Sequence, residues 1–198
     1  MRTNYVLIDY ENVQPADLAS LDHEHFKIKL FVGANQAKIG FEIVSVLQRM
    51  GERAEYIKIA GNGPNALDFH IAFYIGHLAG AEPTAYFHII SKDAGFDPLI
   101  QHLKCQKILV SRSSEITGIP IVRAAHASTM AEKIAVIIND LRKRAIGKPR
   151  TVKTLSSTVN ALFQKQLSEE HVMTLLHELQ KRGVITIQDT KIAYTLPQ

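Results

Sequence analysis

The chain has 198 residues, 46% hydrophobic and 21% charged, a globular mixture that argues against extensive disorder. Its single cysteine, Cys105, excludes an internal disulfide and thiolate-rich zinc or iron–sulfur sites, and its longest apolar stretch, residues 71–81, is far short of the ~20 residues that span a bilayer. The net charge of +4 is unevenly placed: residues 1–138 hold 13 basic and 14 acidic side chains, whereas residues 139–198 hold 10 and 5, an asymmetry that points to nucleic acid or another anionic surface near the C-terminal end.

In chain order, Tyr5, Val6, Leu7 and Ile8 form a continuous apolar run, the pattern of a strand buried on both faces. Residues 27–32 alternate and then turn fully apolar, and residues 54–60, 86–90 and 107–110 complete five expected strands. Between them, Ile39, Ile43, Val46, Leu47 and Met50 recur at helical spacing, as do Ala66, Leu67, Ile71, Phe73, Tyr74, Ile75 and Leu78. A short helix is expected over 97–103, opened by Asp97 and Pro98, and another over 131–141. Strand–helix alternation with short connections predicts a parallel sheet covered by helices, an α/β domain over residues 1–141. Arg142, Lys143 and Arg144 followed by Gly147 and Pro149 read as a helix stop and a basic linker over 142–150. Beyond it, residues 151–163 and 168–181 read as two helices, the second with Ser168 as N-cap and Gly183 as its stop. Residues 184–187 and 192–196 read as a hairpin turning at 188–191. Helices followed by a two-stranded hairpin predict a small winged-helix (α+β) module over 151–198. The N-terminus enters a strand without a charged-then-apolar leader, so a soluble cytoplasmic protein is expected.

In an open parallel sheet, ligand sites lie beyond the carboxyl ends of the strands. The first strand exits into Asp9, Tyr10, Glu11 and Asn12. The third exits through Gly61, Asn62, Gly63, Pro64 and Asn65 into a helix with Asp68 in its first turn. The fourth exits into Ser91, Lys92, Asp93, Ala94, Gly95, Phe96 and Asp97. Asp9, Asp68, Asp93 and Asp97 can therefore meet at one sheet edge. Clustered carboxylates repel one another and call for a cation, and hard oxygen ligands favour Mg²⁺ or Mn²⁺. Such a site suits phosphodiester hydrolysis. Taken singly, Asp68 also reads as a first-turn acid, Asp97 as an N-cap and Asp93 as a turn residue. Asp9, directly after a buried strand, has no comparable structural reading. Glu11 is a further candidate unless the strand end turns it away, Asn65, close to Asp68, is a candidate either to line the pocket or to form a turn, and Lys38, expected in a first helical turn, is a candidate phosphate contact.

Val6-Leu7-Ile8-Asp9-Tyr10-Glu11-Asn12, Ala66-Leu67-Asp68-Phe69 and Ile90-Ser91-Lys92-Asp93-Ala94-Gly95-Phe96-Asp97-Pro98 together resemble the PIN-like nuclease superfamily and, within it, the NYN-type branch. The resemblance covers residues 4–140 and implies a three-layer, Rossmann-like fold and a Mg²⁺- or Mn²⁺-dependent endoribonuclease leaving 5′-phosphate and 3′-hydroxyl ends. It implies Asp9, Asp68, Asp93 and Asp97 as metal ligands, Asn12 as the amide that orients the first loop or a phosphate, and Ser91 as the small hydroxyl residue before the third acid. The last motif departs from the family, which more often has Ser-Gly-Asp-x-Asp-Phe: Lys92 replaces the glycine and the two acids stand four apart, leaving Asp97 open between ligand and N-cap. The C-terminal pattern is similar to winged-helix modules fused to such nucleases, with Lys165, Lys181, Arg182, Lys191 and the linker as phosphate contacts. RNA, single-stranded or structured, is the expected partner, a homodimer is a further expectation, and no membrane is involved. Two rivals stand: an aspartate-nucleophile phosphatase using Asp9, and a non-catalytic nucleic-acid-binding or regulatory module with a vestigial site.

Overall fold

In the computed structural model, which describes residues 2–127, 129–144, 147–163, 165 and 167–196, five strands pair in parallel: β1 (Asn4–Asp9), β2 (Phe26–Val32), β3 (Ala54–Lys58), β4 (Tyr86–Ile90) and β5 (Leu109–Ser113). Their order is β3-β2-β1-β4-β5. β1 is central and buried at every residue, which is why its sequence is a continuous apolar run rather than an alternating one. The crossovers are α1 (Phe41–Met50), α2 (Ala66–Ala81) and α3 (Phe96–Cys105), with short 3-10 turns at Leu18–Leu21, Gly51–Arg53 and Ile116–Gly118. On one face of the sheet, Tyr5, Leu7, Phe31, Phe87 and Ile89 form a core with Leu67, Ile71 and Ile75 of α2 and Phe96, Ile100 and Leu103 of α3. Val6 and Ile8 alternate to the opposite face and are equally buried, as are Ile43, Leu47 and Met50 of α1. The outcome is the three-layer α/β architecture expected.

Several boundaries differ from the sequence expectation. β5 lies two to three residues later than 107–110, because Lys107 adopts a left-handed backbone (φ 63°) that ends the α3 connection. α1 begins at Phe41, so Lys38 sits in an exposed loop ahead of the helix, not in its first turn. α3 begins at Phe96 with Gly95 as N-cap, which makes Asp97 a first-turn residue rather than the cap.

By contact, the chain divides into Met1–Ile119 and Pro120–Gln198. The second unit contains α4 (Pro120–His126), α5 (Met130–Lys143), α6 (Val152–Leu162), α7 (Glu169–Lys181) and an antiparallel hairpin of β6 (Ile185–Gln188) and β7 (Lys191–Tyr194). The sequence reading set the first domain's end at residue 141, and α4 escaped it. α5 instead belongs with the C-terminal unit, because Ile134, Val136, Ile137 and Leu141 share one core with Leu155, Val159, Val172, Leu175, Leu176 and Leu179. The helices on either side of the expected linker over 142–150, of which residues 145 and 146 lie outside the described residues, thus share one unit. Thr151 makes an isolated antiparallel bridge to Lys191, and Tyr194 donates to the Pro149 carbonyl at 2.6 Å, fastening the connection to the hairpin. Caps follow the sequence signals. Ser168 Oγ accepts from the His171 N–H, and Gly183, at φ 69°, closes α7 in the left-handed conformation that glycine adopts without strain. Among the described residues, no helix is long and apolar enough to cross a membrane.

Candidate active site

The sheet order reverses at β1. From there the chain runs outward to β2 and β3, and returns on the other side as β4 and β5. The switch point therefore lies between the carboxyl ends of β1 and β4, where parallel sheets place their ligands. A cleft of about 410 Å³ opens there, lined by Asp9, Glu11, Asn12, Gly63, Asn65, Ala66, Leu67, Asp68 and Asp93.

Asp9 is the last residue of β1 and only 3% exposed. Its carboxylate is held from two sides: Oδ1 accepts from the Asn12 N–H at 3.1 Å, and Oδ2 accepts from Ser91 Oγ at 2.9 Å. Ser91 is fully buried, and its hydroxyl oxygen accepts from the Asp93 N–H at 3.1 Å. A single chain of hydrogen bonds thus ties the β4 exit to the β1 exit through a fully buried hydroxyl. Burial pushes the Asp9 pKa up, opposed by the two hydrogen bonds. Asp93 Oδ1 accepts from the Gly95 N–H at 2.7 Å, a local turn that fixes the acid in the loop before α3. Asp68 enters from the first turn of α2, whose flanking Asn65 has the left-handed backbone (φ 59°) needed to swing the chain from the β3 loop into the helix. Asp68 is pushed up to about 6, first by burial and then by the charges of Asp9, Asp93 and Glu11. Mutual repulsion is therefore a property of the cleft itself.

Three of the four expected acids, Asp9, Asp68 and Asp93, line this cleft together, as do Asn12 and Asn65. Asp97 does not. Its carboxylate takes a two-pronged bond from Arg112 on β5, Nε to Oδ1 at 2.9 Å and Nη2 to Oδ2 at 3.2 Å, while Nη1 of the same arginine donates to the Ser91 carbonyl at 3.3 Å. This pairing holds its pKa below the usual carboxylate range. Ser91 acts from behind Asp9 rather than lining the cleft, and Lys38 is likewise absent from the lining.

Glu11 is the lining acid that the sequence reading left out of the expected set. Its side chain lies over Gly33, the residue immediately after β2, and a Cβ at position 33 would collide with the Glu11 carboxyl group. The signal was a glycine directly at a strand exit beside the switch point, which marks a close approach. Gln36 braces the same region, accepting from the Gly33 N–H and donating to the Tyr10 carbonyl, both at 3.1 Å.

The donors are all oxygen, the set that suits a hard divalent cation rather than zinc. Their mutual repulsion, visible at Asp68, is the electrostatic demand that such an ion answers. As placed, no three acids, histidines or cysteines among the described residues stand within common ligating reach. A family model for the PIN domain matches residues 3–113, which holds every strand of the parallel sheet and every acid of the cleft. No curated protein matches the chain significantly.

Proposed function

The chain belongs to the PIN-domain family, whose members are typically metal-dependent nucleases, and from that premise we propose that it is a Mg²⁺- or Mn²⁺-dependent endoribonuclease of the NYN type, acting in the cytoplasm. The observation that carries this reading is the convergence of Asp9, Asp68, Asp93 and Glu11 on one cleft at the sheet's switch point. Asp9, Asp68 and Asp93 would hold the ion, with Glu11 at the margin. A divalent cation, when bound, supplies a Lewis acid for a phosphoryl oxygen and a water acidified for attack. Ser91 and the Asn12 N–H fix the Asp9 carboxylate in one orientation, so this ligand is set before substrate arrives. Asn12 and Asn65 present amides at the rim, where they can orient a phosphate. No side chain serves as nucleophile, and the products carry 5′-phosphate and 3′-hydroxyl ends.

The C-terminal unit is proposed as a winged-helix module that begins with α5 and holds RNA. Its cations do not gather at the first turn of α7, which carries Glu169 and Glu170. Arg182 is paired with Glu178 at 2.7 Å. The Thr151–Lys191 bridge instead brings Lys191 beside Arg150 and Lys153, all three exposed, at an α6 N-terminus without acids.

The test is incubation of pure protein with single-stranded RNA and Mn²⁺, beside an EDTA control, the Asp9→Asn variant and a DNA substrate of the same sequence. Cleavage confined to the wild-type, metal-loaded sample is expected. Cleavage that survives Asp9→Asn or chelation overturns the reading. The Asp97–Arg112 pair favours one second reading, a nucleic-acid-binding module that has lost part of its acid set. RNA binding unchanged by Asp9→Asn, with no cleavage of any substrate, selects it.

A further inference from the structure

The outer face of α2 is left exposed among the described residues. Phe69 and Phe73 are 71% and 66% exposed. Phe73 is backed by its helix neighbours, lying edge-on to Tyr74 and parallel to His77 with ring centroids 6.0 Å apart. Gly76 and Gly80 follow on the same exposed side, and a Cβ at either would meet nothing within 4 Å. Neither glycine is required by packing or by backbone conformation, yet each weakens an interior helical position relative to alanine. With 3.6 residues per turn, Phe69, Phe73, Gly76 and Gly80 fall within a sector of about 60°. Two large apolar side chains on the first half of a helix, and two missing side chains on the second half, form matching knobs and holes.

The register of these four positions identifies what fits them. In an antiparallel pairing of two α2 helices about a two-fold axis, a residue faces the position that mirrors it through the centre. Phe69 mirrors Gly80 and Phe73 mirrors Gly76 through one and the same centre, between Tyr74 and Ile75. A single arrangement therefore seats all four phenylalanines of two copies over all four glycines. It is isologous and closed, as two-fold interfaces are. We propose that the chain forms a homodimer through antiparallel packing of α2 on α2 of a second copy.

Charge agrees with this occupant. Residues 69–81 carry no Asp, Glu, Lys or Arg, so like charges do not meet across the axis. No lysine or arginine occurs anywhere between Lys58 and Lys92, which argues against RNA on this face, where a backbone needs cations. The area is adequate for a modest dimer. Four phenyl rings hide on the order of 500 Å², and two helices about 24 Å long add enough to approach the roughly 1,200 Å² lower end of specific interfaces. A dissociation constant in the roughly micromolar range is the expectation for such a contact. Asp68 lies just before the paired stretch, so the two clefts open at opposite ends of the helix pair, about 20 Å apart along the axis.

The test is sedimentation equilibrium of the full chain with three variants. Wild type is expected to reach dimer mass at tens of micromolar. Gly76→Leu, which has open space in the monomer and blocks close approach, is expected to remain monomeric with an unchanged circular dichroism spectrum, as is Phe73→Asp. In a Cys105→Ser background, Phe69→Cys combined with Gly80→Cys is expected to cross-link under copper-phenanthroline oxidation, whereas Phe69→Cys alone is not. A wild-type monomer at 100 μM, a dimer indifferent to Gly76→Leu, or cross-linking by Phe69→Cys alone overturns the proposal. Weaker RNA binding by Phe73→Asp in a monomeric wild type assigns the face to nucleic acid instead. None of these outcomes depends on whether the cleft cleaves RNA.

Discussion

Asp68 shows most directly what the cleft costs the fold. Its carboxyl is raised from 3.8 to about 6 by burial and by neighbouring acids. An acid whose folded-state pKa is raised binds its proton more tightly in the folded state. The charged form therefore destabilises the fold, fully above pH 6 and not at all below about 3.8. Asp68→Asn is expected to melt higher than wild type at pH 7.5, with the gap closing as pH falls toward 4. Mg²⁺ should narrow the gap at pH 7.5 by favouring the charged wild-type site, and a thermal-shift series over pH with and without Mg²⁺ checks both statements. Ser91 carries the opposite effect. Ser91→Ala leaves Asp9 Oδ2 and the Asp93 N–H without partners in a buried setting, at a cost of about 2 kcal/mol. Urea denaturation measures it. Asp97→Asn separates the two groups of acids: with Asp97 turned to Arg112 and away from the cleft, its loss should leave cleavage within a few-fold of wild type, while Asp9→Asn abolishes it. Equal losses in initial-rate assays would return Asp97 to the site.

At the scale of elements, the parallel sheet was readable because a doubly covered strand leaves a distinctive mark. Tyr5 to Ile8 is unbroken and apolar, and the acid that follows it could only sit at a buried strand end. The same logic located Asp68 and Asp93. It could not separate Asp97 from them, because the partner that claims Asp97 is Arg112, fifteen residues on, and only pairing of β4 with β5 brings the two together. The strand-end pattern leaves the direction of Glu11 open for a similar reason: its position depends on the missing side chain of Gly33, on the neighbouring strand. Gly147 and Pro149 carry the composition of a domain boundary, yet the helices on either side of them, α5 and α6, share one core, a contact that composition alone does not show. That core makes a concrete prediction. A fragment of residues 120–198 should unfold cooperatively by circular dichroism, whereas residues 145–198, which lack Ile134, Ile137 and Leu141, should not. Leu141→Ala within the longer fragment should cost about 2–5 kcal/mol, as for other buried leucines.

Over the whole molecule, the division at Ile119 sharpens the charge asymmetry. Residues 1–119 carry 11 basic and 13 acidic side chains, and residues 120–198 carry 12 and 6. Under the proposed function, chemistry and substrate affinity would belong to different units. The acidic unit holds the cleft, where a divalent cation would reverse the local sign, and on the proposed reading the basic unit would supply attraction for a polyanion without regard to sequence. If Arg150, Lys153 and Lys191 form the phosphate-contacting patch, each contact releases counterions from a single strand. The slope of log affinity against log salt should then fall by about 0.7 per contact removed, or roughly 2 for the triple glutamine variant. Fluorescence anisotropy of a labelled RNA, in EDTA so that nothing is cut, measures the slope. The same variant, assayed with Mn²⁺, should raise KM and leave kcat near the wild-type value, because the contacts it removes bind substrate and transition state alike. A slope unchanged by the triple substitution, or a matching loss confined to Lys165 and Lys181, would move the interface off the α6–hairpin surface and onto the opposite ends of the helices.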